Sequence, residues 1–130
     1  MSYTLLHDLK CFLTYNRNIM KKLGYCIYVL LSLKDHHLYI GFTTDLKQRL
    51  TDHFHGRSES TSPRRPFILI YCEYLFSKKD AYNRETYLKT STGKRMLKLI
   101  LKESLKETKE LPINDLDISK QIKENPHYGK

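Results

Sequence analysis

The chain has 130 residues, with 23 Lys and Arg against 14 Asp and Glu and a formal net charge of +9, a length that suits one domain with a modest core. No stretch approaches the ~20 consecutive apolar residues of a membrane-spanning helix. The three cysteines, Cys11, Cys26 and Cys72, are too few and too widely separated for a disulfide framework or a cysteine-rich zinc site, so we interpret them as small buried hydrophobic residues and expect an intracellular location.

The excess positive charge lies in the central part of the chain. Residues 21–102 contain 16 Lys and Arg against 7 Asp and Glu, whereas the charges at the two ends nearly cancel. Neutralising phosphates releases condensed counterions, so basic charge in the part that folds is typical of a protein that binds a nucleic-acid backbone. A basic surface that merely keeps the protein soluble is the alternative.

The first 22 residues precede the first predicted strand. Five apolar residues there have the spacing of a short amphipathic helix: Leu5, Leu6, Leu9, Phe12 and Leu13. We expect residues 1–22 to be either an added helix or an extension, and we assign no function to them.

Residues 25–41 predict a β-hairpin. Two apolar runs rich in β-forming residues flank a short polar turn from Lys34 to His37. Alternate side chains of a strand share one face, so Tyr28 points to the side opposite Ile27 and Val29. We expect the hydroxyls of Tyr28 and Tyr39, on neighbouring strands, to converge above one face. Alternatively, both are ordinary strand aromatics with a solvated tip.

A helix is predicted after the hairpin, with Thr44 as its N-cap. Three residues form its expected buried stripe: Leu46, Leu50 and Phe54. Arg49 and His53 lie beside this stripe, one turn apart. Because the stripe must pack on the sheet, we expect Arg49 to reach the face that carries the tyrosines.

Residues 56–66 predict a loop, and residues 67–76 predict a third strand. The loop combines Ser and Thr hydroxyls with Arg57, Arg64 and Arg65, a composition suited to phosphate contacts but also common in exposed loops. The third strand is almost entirely apolar or aromatic, so we expect it to be central and well buried.

Ser77 begins the next predicted helix, with Asp80 at the spacing of a capping box. Ala81, Glu85 and Leu88 share one helix face, which places a carboxylate in the buried stripe. Burying an unpaired carboxylate costs several kcal/mol. Glu85 therefore requires a cation, which is either a basic side chain in a structural salt bridge or a bound metal ion.

Gly93 is expected to break the helical pattern, and residues 94 to about 106 predict a last helix. Its expected inward residues are Met96, Leu97, Ile100, Leu101 and Leu105. Lys94 and Arg95 lie on its outer side. Residues 108–130 are polar, and we expect them to form a loosely held tail.

Five candidate residues now stand in chain order: Tyr28, Tyr39, Arg49, His53 and Glu85. Together with Cys-Ile-Tyr in the first hairpin strand and Tyr-Ile-Gly in the second, their order and spacing resemble the GIY-YIG nuclease superfamily. The similarity is strongest to small stand-alone members that resemble the nuclease domain of the bacterial excision-repair endonuclease. It covers about residues 24–100 and implies an α+β fold over residues 23–107, with a small three-stranded antiparallel sheet flanked by helices.

The resemblance implies a metal-dependent endonuclease that hydrolyses phosphodiester bonds. Glu85 would hold one Mg²⁺ or Mn²⁺ ion, Tyr28 would act as general base, Tyr39 would orient the nucleophile, and Arg49 would bind the scissile phosphate. His53 would hold a tyrosine or the phosphate, or be purely structural.

The implied partner is DNA, branched or nicked and recognised by structure rather than sequence, in repair or recombination, by a monomer or weak dimer without membrane contact. The expected DNA-binding residues are Arg57, Arg64, Arg65, Lys94 and Arg95. Phe42 stands where the excision-repair domain carries a lysine, and the late asparagine of the family has no counterpart. These differences motivate one alternative, a non-catalytic nucleic-acid-binding module on the same fold.

Overall fold

The computed structural model describes residues 23–112 and 118–124, and the predicted N-terminal helix and Cys11 lie outside them. The strands and helices follow in chain order: β1 (Tyr25–Ser32), β2 (Leu38–Thr43), α1 (Leu46–Phe54), β3 (Phe67–Leu75), α2 (Lys78–Lys89), α3 (Ser91–Ile100), α4 (Lys102–Glu110) and α5 (Ile118–Glu124). A short 3-10 helix, Ser62–Arg64, lies between α1 and β3.

The three strands form one antiparallel sheet in the order β2-β1-β3, which confirms the predicted α+β fold. The prediction that the third strand is central was wrong, because β3 lies at an edge and β1 occupies the middle. In β1 every residue after Tyr25 is buried, whereas burial decreases along β3 and Tyr74 is exposed. Both strands are apolar along most of their length, so sequence pattern alone did not separate them.

Helices cover both faces of the sheet, and the predicted alternation of side chains along β1 is confirmed. On one face, Tyr28 and Leu30 pack with Leu50 of α1 and Ile118 of α5. The other face packs against residues of the next three helices: Ala81 and Leu88 of α2, Leu97 of α3, and Leu101 and Leu105 around α4. Cys26 is buried in the first cluster and Cys72 packs against it, both as free thiols. Arg49 and Glu85 are therefore carried by helices on opposite faces.

Helix α1 differs from the prediction at both ends. Its N-cap is Asp45 rather than Thr44, because the Asp45 carboxylate accepts a hydrogen bond from the backbone N–H of Gln48 at 3.0 Å. At the other end, Phe54 is 41% exposed and His53 is fully buried, so the predicted burial of Phe54 was wrong. The buried stripe continues from Leu50 to the residue three positions on, not four.

Helix α2 begins at the predicted cap, where the Ser77 hydroxyl accepts from the N–H of Asp80. The predicted break at Gly93 was wrong, because Thr90 separates the helices and caps α3, and Gly93 lies inside its first turn. A Cβ on Gly93 would lie 2.6 Å from the Leu88 Cα, so the close approach of α2 and α3 requires glycine there. Two residues expected inside are exposed, Met96 and Ile100.

Part of the predicted loose tail packs against the sheet. Helix α5 buries Ile118, and the side-chain amide of Gln121 both donates to and accepts from the backbone of Leu69, each at 2.8 Å. This amide satisfies the outer edge of β3 much as a further strand would. Residues 118–124 are therefore not a loose tail, whereas residues 113–117 and 125–130 lie outside the described part. Within that part, no helix combines the length and the apolar character that crossing a membrane requires.

Candidate active site

Tyr28 lies at the centre of a buried hydrogen-bonded group. Arg49 donates from Nε–H to the Tyr28 hydroxyl oxygen at 3.1 Å, and the same hydroxyl lies 2.9 Å from Nε2 of His53. On the far side of the imidazole, Nδ1 of His53 lies 2.8 Å from the hydroxyl of Thr61. Tyr28, His53 and Thr61 are fully buried. The structure thus joins three of the predicted site residues and adds Thr61.

The backbone of β2 makes room for the Tyr28 ring. Tyr28 is paired with Gly41, the glycine of Tyr-Ile-Gly, in the antiparallel register of β1 and β2. A Cβ on Gly41 would lie 2.8 Å from Cε1 of the ring and closer still to Cζ and the hydroxyl. The ring therefore lies directly over the neighbouring strand, and any larger residue at position 41 would displace it.

Tyr39 completes the aromatic part of the site on the same face. Its ring packs edge-on against His53, with 5.3 Å between centroids, and lies 6.4 Å from the ring of Tyr28. Tyr28 and, more weakly, Tyr39 raise the pKa of Arg49. The predicted convergence of two phenols and one guanidinium is therefore present in the structure.

Burial governs the protonation states of this group. It raises the pKa of Tyr28 to about 12, although the hydrogen bond and charge of Arg49 act in the opposite direction. Burial, with a further contribution from Arg49, lowers the pKa of His53 to about 4. At neutral pH the site therefore holds a protonated phenol, a neutral imidazole and a guanidinium.

Glu85 approaches from the helix on the opposite face of the sheet. Its charge contributes to the raised pKa of Tyr28, so the carboxylate lies within electrostatic range of the phenol. The Glu85 side chain is 18% exposed, and Oε1 lies 2.9 Å from Nζ of Lys89, which is 54% exposed. The structural salt bridge, one of the two predicted alternatives for Glu85, is thus formed.

Glu85 suits a metal ion that takes few protein ligands. In the described part of the chain no three His, Cys, Asp or Glu side chains cluster in a way that could hold an ion. A single carboxylate fits Mg²⁺, because Mg²⁺ retains several waters and commonly uses one or two carboxylates with substrate phosphate oxygens. The ammonium of Lys89 already occupies this position as a cation, and an ion would have to replace it.

The predicted DNA-binding residues fall into two groups. Arg57 is paired with Asp52 at 3.0 Å and Arg64 with Asp35 at 2.9 Å, and Arg65 donates to the backbone carbonyls of Ser62 and Phe54. By contrast, Lys94 and Arg95 are exposed on α3 and form no ion pair within the part of the chain that is described. Two of the five predicted cations are thus already balanced by carboxylates.

Two residues of the site were missed in the sequence. Thr61 lies in a loop without periodicity, so no sequence signal distinguishes it from the other hydroxyl residues nearby. Lys89 was detectable, because it follows Glu85 by four residues on one helix, the spacing at which opposite charges pair. That rule would have decided in advance that Glu85 has a basic partner.

Comparisons with known proteins agree with this geometry. The family model described as the GIY-YIG catalytic domain matches residues 24–98. A UPF0213 protein of Clostridium perfringens is 38% identical over 79 residues, which cover 60% of this chain and 85% of that protein. A UPF0213 protein of Staphylococcus haemolyticus is 40% identical over 68 residues, covering 52% and 83%. The solution NMR structure of a UPF0213 protein from Bacillus halodurans is 30% identical, covers 58% of this chain and 83% of that one, and has a TM-score of 0.39.

Proposed function

Because the chain belongs to the GIY-YIG family, a nuclease family, we propose that it is an endonuclease that hydrolyses phosphodiester bonds in DNA with the help of one Mg²⁺ or Mn²⁺ ion. The observation that carries this proposal is the Arg49–Tyr28–His53 group with Glu85 in electrostatic range of the phenol. A guanidinium, a phenol and a carboxylate supply a phosphate contact, a proton acceptor and an ion ligand.

Arg49 is suited to bind the scissile phosphate. It uses Nε–H for Tyr28, and its guanidinium carries further N–H donors that match phosphate oxygens. The hydrogen bond to Tyr28 also fixes the orientation of the guanidinium plane. Negative charge that builds up on the phosphate in the transition state would therefore meet a preorganised cation.

Tyr28 would take the proton of the attacking water, and Tyr39 would orient that water from the neighbouring strand. An ion at Glu85 would neutralise phosphate charge and assist the departure of the 3′ oxygen. Before the ion binds, Lys89 compensates the charge of Glu85, and its exposed side chain is free to swing away.

The substrate we propose is branched or nicked DNA, recognised through its shape and backbone. Among the described helices and strands none is left over to form a separate base-reading module, and the three-stranded sheet is covered on both faces. Backbone contacts alone position a protein on DNA without reading its sequence. A role in repair or recombination rests on kinship alone.

A non-catalytic nucleic-acid-binding module is the second candidate. The raised pKa of Tyr28 and the ion pair that occupies Glu85 both favour it, because each must be overcome for catalysis. Phe42, in place of the lysine of the excision-repair domain, adds to this argument. The two candidates differ in one observable, the cleavage of DNA in the presence of a divalent ion.

The test is incubation with a panel of duplex, nicked and branched DNAs in Mg²⁺ or Mn²⁺, beside Glu85→Ala. We expect the wild type to cut at least one substrate and Glu85→Ala to bind DNA as well or better without cutting, because a negative charge has left the phosphate site. Binding without cleavage of any substrate would favour the second candidate. Equal cutting by Glu85→Ala would overturn the assignment of this carboxylate.

A further inference from the structure

We propose that Thr61 is a positioning residue that fixes the direction of the protons in the buried group and thereby presents Tyr28 to the attacking water as an acceptor. The proton order follows from the hydrogen bonds themselves. Its catalytic consequence rests on the proposed function.

The direction begins at Arg49, which can only donate. Its Nε–H points at the Tyr28 oxygen at 3.1 Å, so this oxygen accepts one hydrogen bond. The Tyr28 proton must then find an acceptor, because the side chain is fully buried and an unsatisfied hydroxyl would lose a hydrogen bond to water. Among the described residues, the acceptor within hydrogen-bond distance is Nε2 of His53, at 2.9 Å.

The opposite arrangement leaves a buried proton without a partner. If Nε2 of His53 carried hydrogen, the Tyr28 oxygen would accept from both Arg49 and His53, and its own proton would have no remaining acceptor within that group. A neutral imidazole carries one proton, so an unprotonated Nε2 requires the proton to lie on Nδ1.

Thr61 completes the order. The proton on Nδ1 of His53 points at the Thr61 oxygen at 2.8 Å, which therefore accepts. The Thr61 hydroxyl can do so because its own proton is directed to the backbone carbonyl of Ser58, at 3.5 Å. Ser58 also accepts from the backbone N–H of Thr61, at 3.2 Å, which holds the threonine in place.

This order leaves one lone pair of the Tyr28 oxygen free and gives its proton a destination. When the attacking water forms the new P–O bond, the water proton passes to Tyr28 and the Tyr28 proton passes to Nε2 of His53. The bond from phosphorus to the 3′ oxygen breaks, that oxygen takes a proton from solvent, and the imidazolium later returns one. Tyr28 thus accepts a proton without ever existing as a free phenolate.

The test compares Thr61→Val, which removes the hydroxyl at similar volume, with Thr61→Ser, which retains it. ¹⁵N NMR of the imidazole reports which nitrogen carries the proton. In the wild type and in Thr61→Ser we expect the proton on Nδ1 of His53. In Thr61→Val we expect a mixture of tautomers and a single-turnover cleavage rate lowered at least tenfold, with DNA affinity and unfolding temperature close to those of Thr61→Ser.

A wild-type proton on Nε2, or a Thr61→Val variant with unchanged tautomer, would overturn the proton order. An altered tautomer with unchanged cleavage would overturn the positioning role. If the proton lies on Nδ1 as expected and the wild type cuts no DNA, the proposed function and the catalytic consequence fail together, while the proton order stands.

Discussion

The Tyr28 hydroxyl lies 2.9 Å from Nε2 of His53, although the two residues are 25 positions apart in the chain and both are fully buried. This contact fixes α1 against the central strand. It also removes the imidazole from water, so His53 remains neutral where an exposed histidine would take up a proton.

This neutral histidine predicts a specific dependence of stability on pH. The pKa of His53 falls from 6.5 to about 4 on folding, so between these values the unfolded chain binds more protons than the folded one. The free energy of unfolding should decrease as pH falls from 6.5 to 4, by about 1.4 kcal/mol per unit and by roughly 3 kcal/mol in all. Urea unfolding at a series of pH values measures this change.

His53→Gln should flatten this profile between pH 4 and 6.5, because the group that titrates is gone. His55→Gln is the matched control, since His55 is the exposed histidine two positions further along. An unchanged profile in His53→Gln would show that other groups cause the loss of stability in acid.

Gly41 predicts a steric effect on the site. Gly41→Ala would place a methyl group against the Tyr28 ring, so the ring must move away from Arg49 and His53. We expect a loss of about 1–3 kcal/mol in the free energy of unfolding, together with a large loss of cleavage. Gly24→Ala is the matched control, because nothing lies within 4 Å of a Cβ at that position. If both variants behave like the wild type, the ring does not lie over the strand.

The pair of Glu85 and Lys89 predicts competition between the ammonium and the metal ion. Lys89→Ala should raise the affinity for Mn²⁺, because the carboxylate is released from a cation 2.9 Å away. Glu85→Gln should abolish Mn²⁺ binding at the site, whereas Glu103→Gln, at an exposed acidic position of α4, should leave it unchanged. Calorimetric titration without DNA measures these affinities. Tight Mn²⁺ binding by Glu85→Gln would contradict the assignment of Glu85 as the ligand.

The two groups of cations predict different contributions to DNA binding. Lys94→Ala with Arg95→Ala and Arg57→Ala with Arg64→Ala remove the same net charge, but the second pair is already bound to carboxylates. If Lys94 and Arg95 each contact one phosphate, the first double variant should reduce the slope of log K against log salt by up to about 1.8. The second should change it less. Fluorescence anisotropy across a salt series measures both slopes, and a larger change in the second variant would reverse the assignment.

Much of the fold was accessible from the sequence because short-range patterns dominate it. The hairpin and the two faces of β1 follow from an apolar period of two, and the start of α2 follows from Ser77 and Asp80. The candidate residues were found through the order of the family motifs, and the structure brings Tyr28, Tyr39, Arg49 and His53 together. Their catalytic roles, the domain boundaries and the cellular location stay predictions.

The errors arose where tertiary packing outweighs local pattern. His53 replaces Phe54 in the buried stripe because Tyr28 and Thr61 satisfy both of its nitrogens, and neither partner lies on α1. Helix α5 escaped prediction because its anchor is a glutamine that satisfies the backbone of Leu69, a contact between residues 52 positions apart. Hydrophobic periodicity carries no information on contacts of this kind.

The most direct test is the single-turnover cleavage of a preferred DNA substrate by Tyr28→Phe, with DNA affinity measured in parallel. The variant retains the ring but loses the oxygen that joins Arg49 to His53. We predict a rate about 10²- to 10⁴-fold below that of the wild type, the range for loss of general acid–base catalysis, with affinity changed by less than about threefold. Cleavage by Tyr28→Phe at the wild-type rate would contradict the account, because the hydroxyl at its centre would then take no part in the reaction.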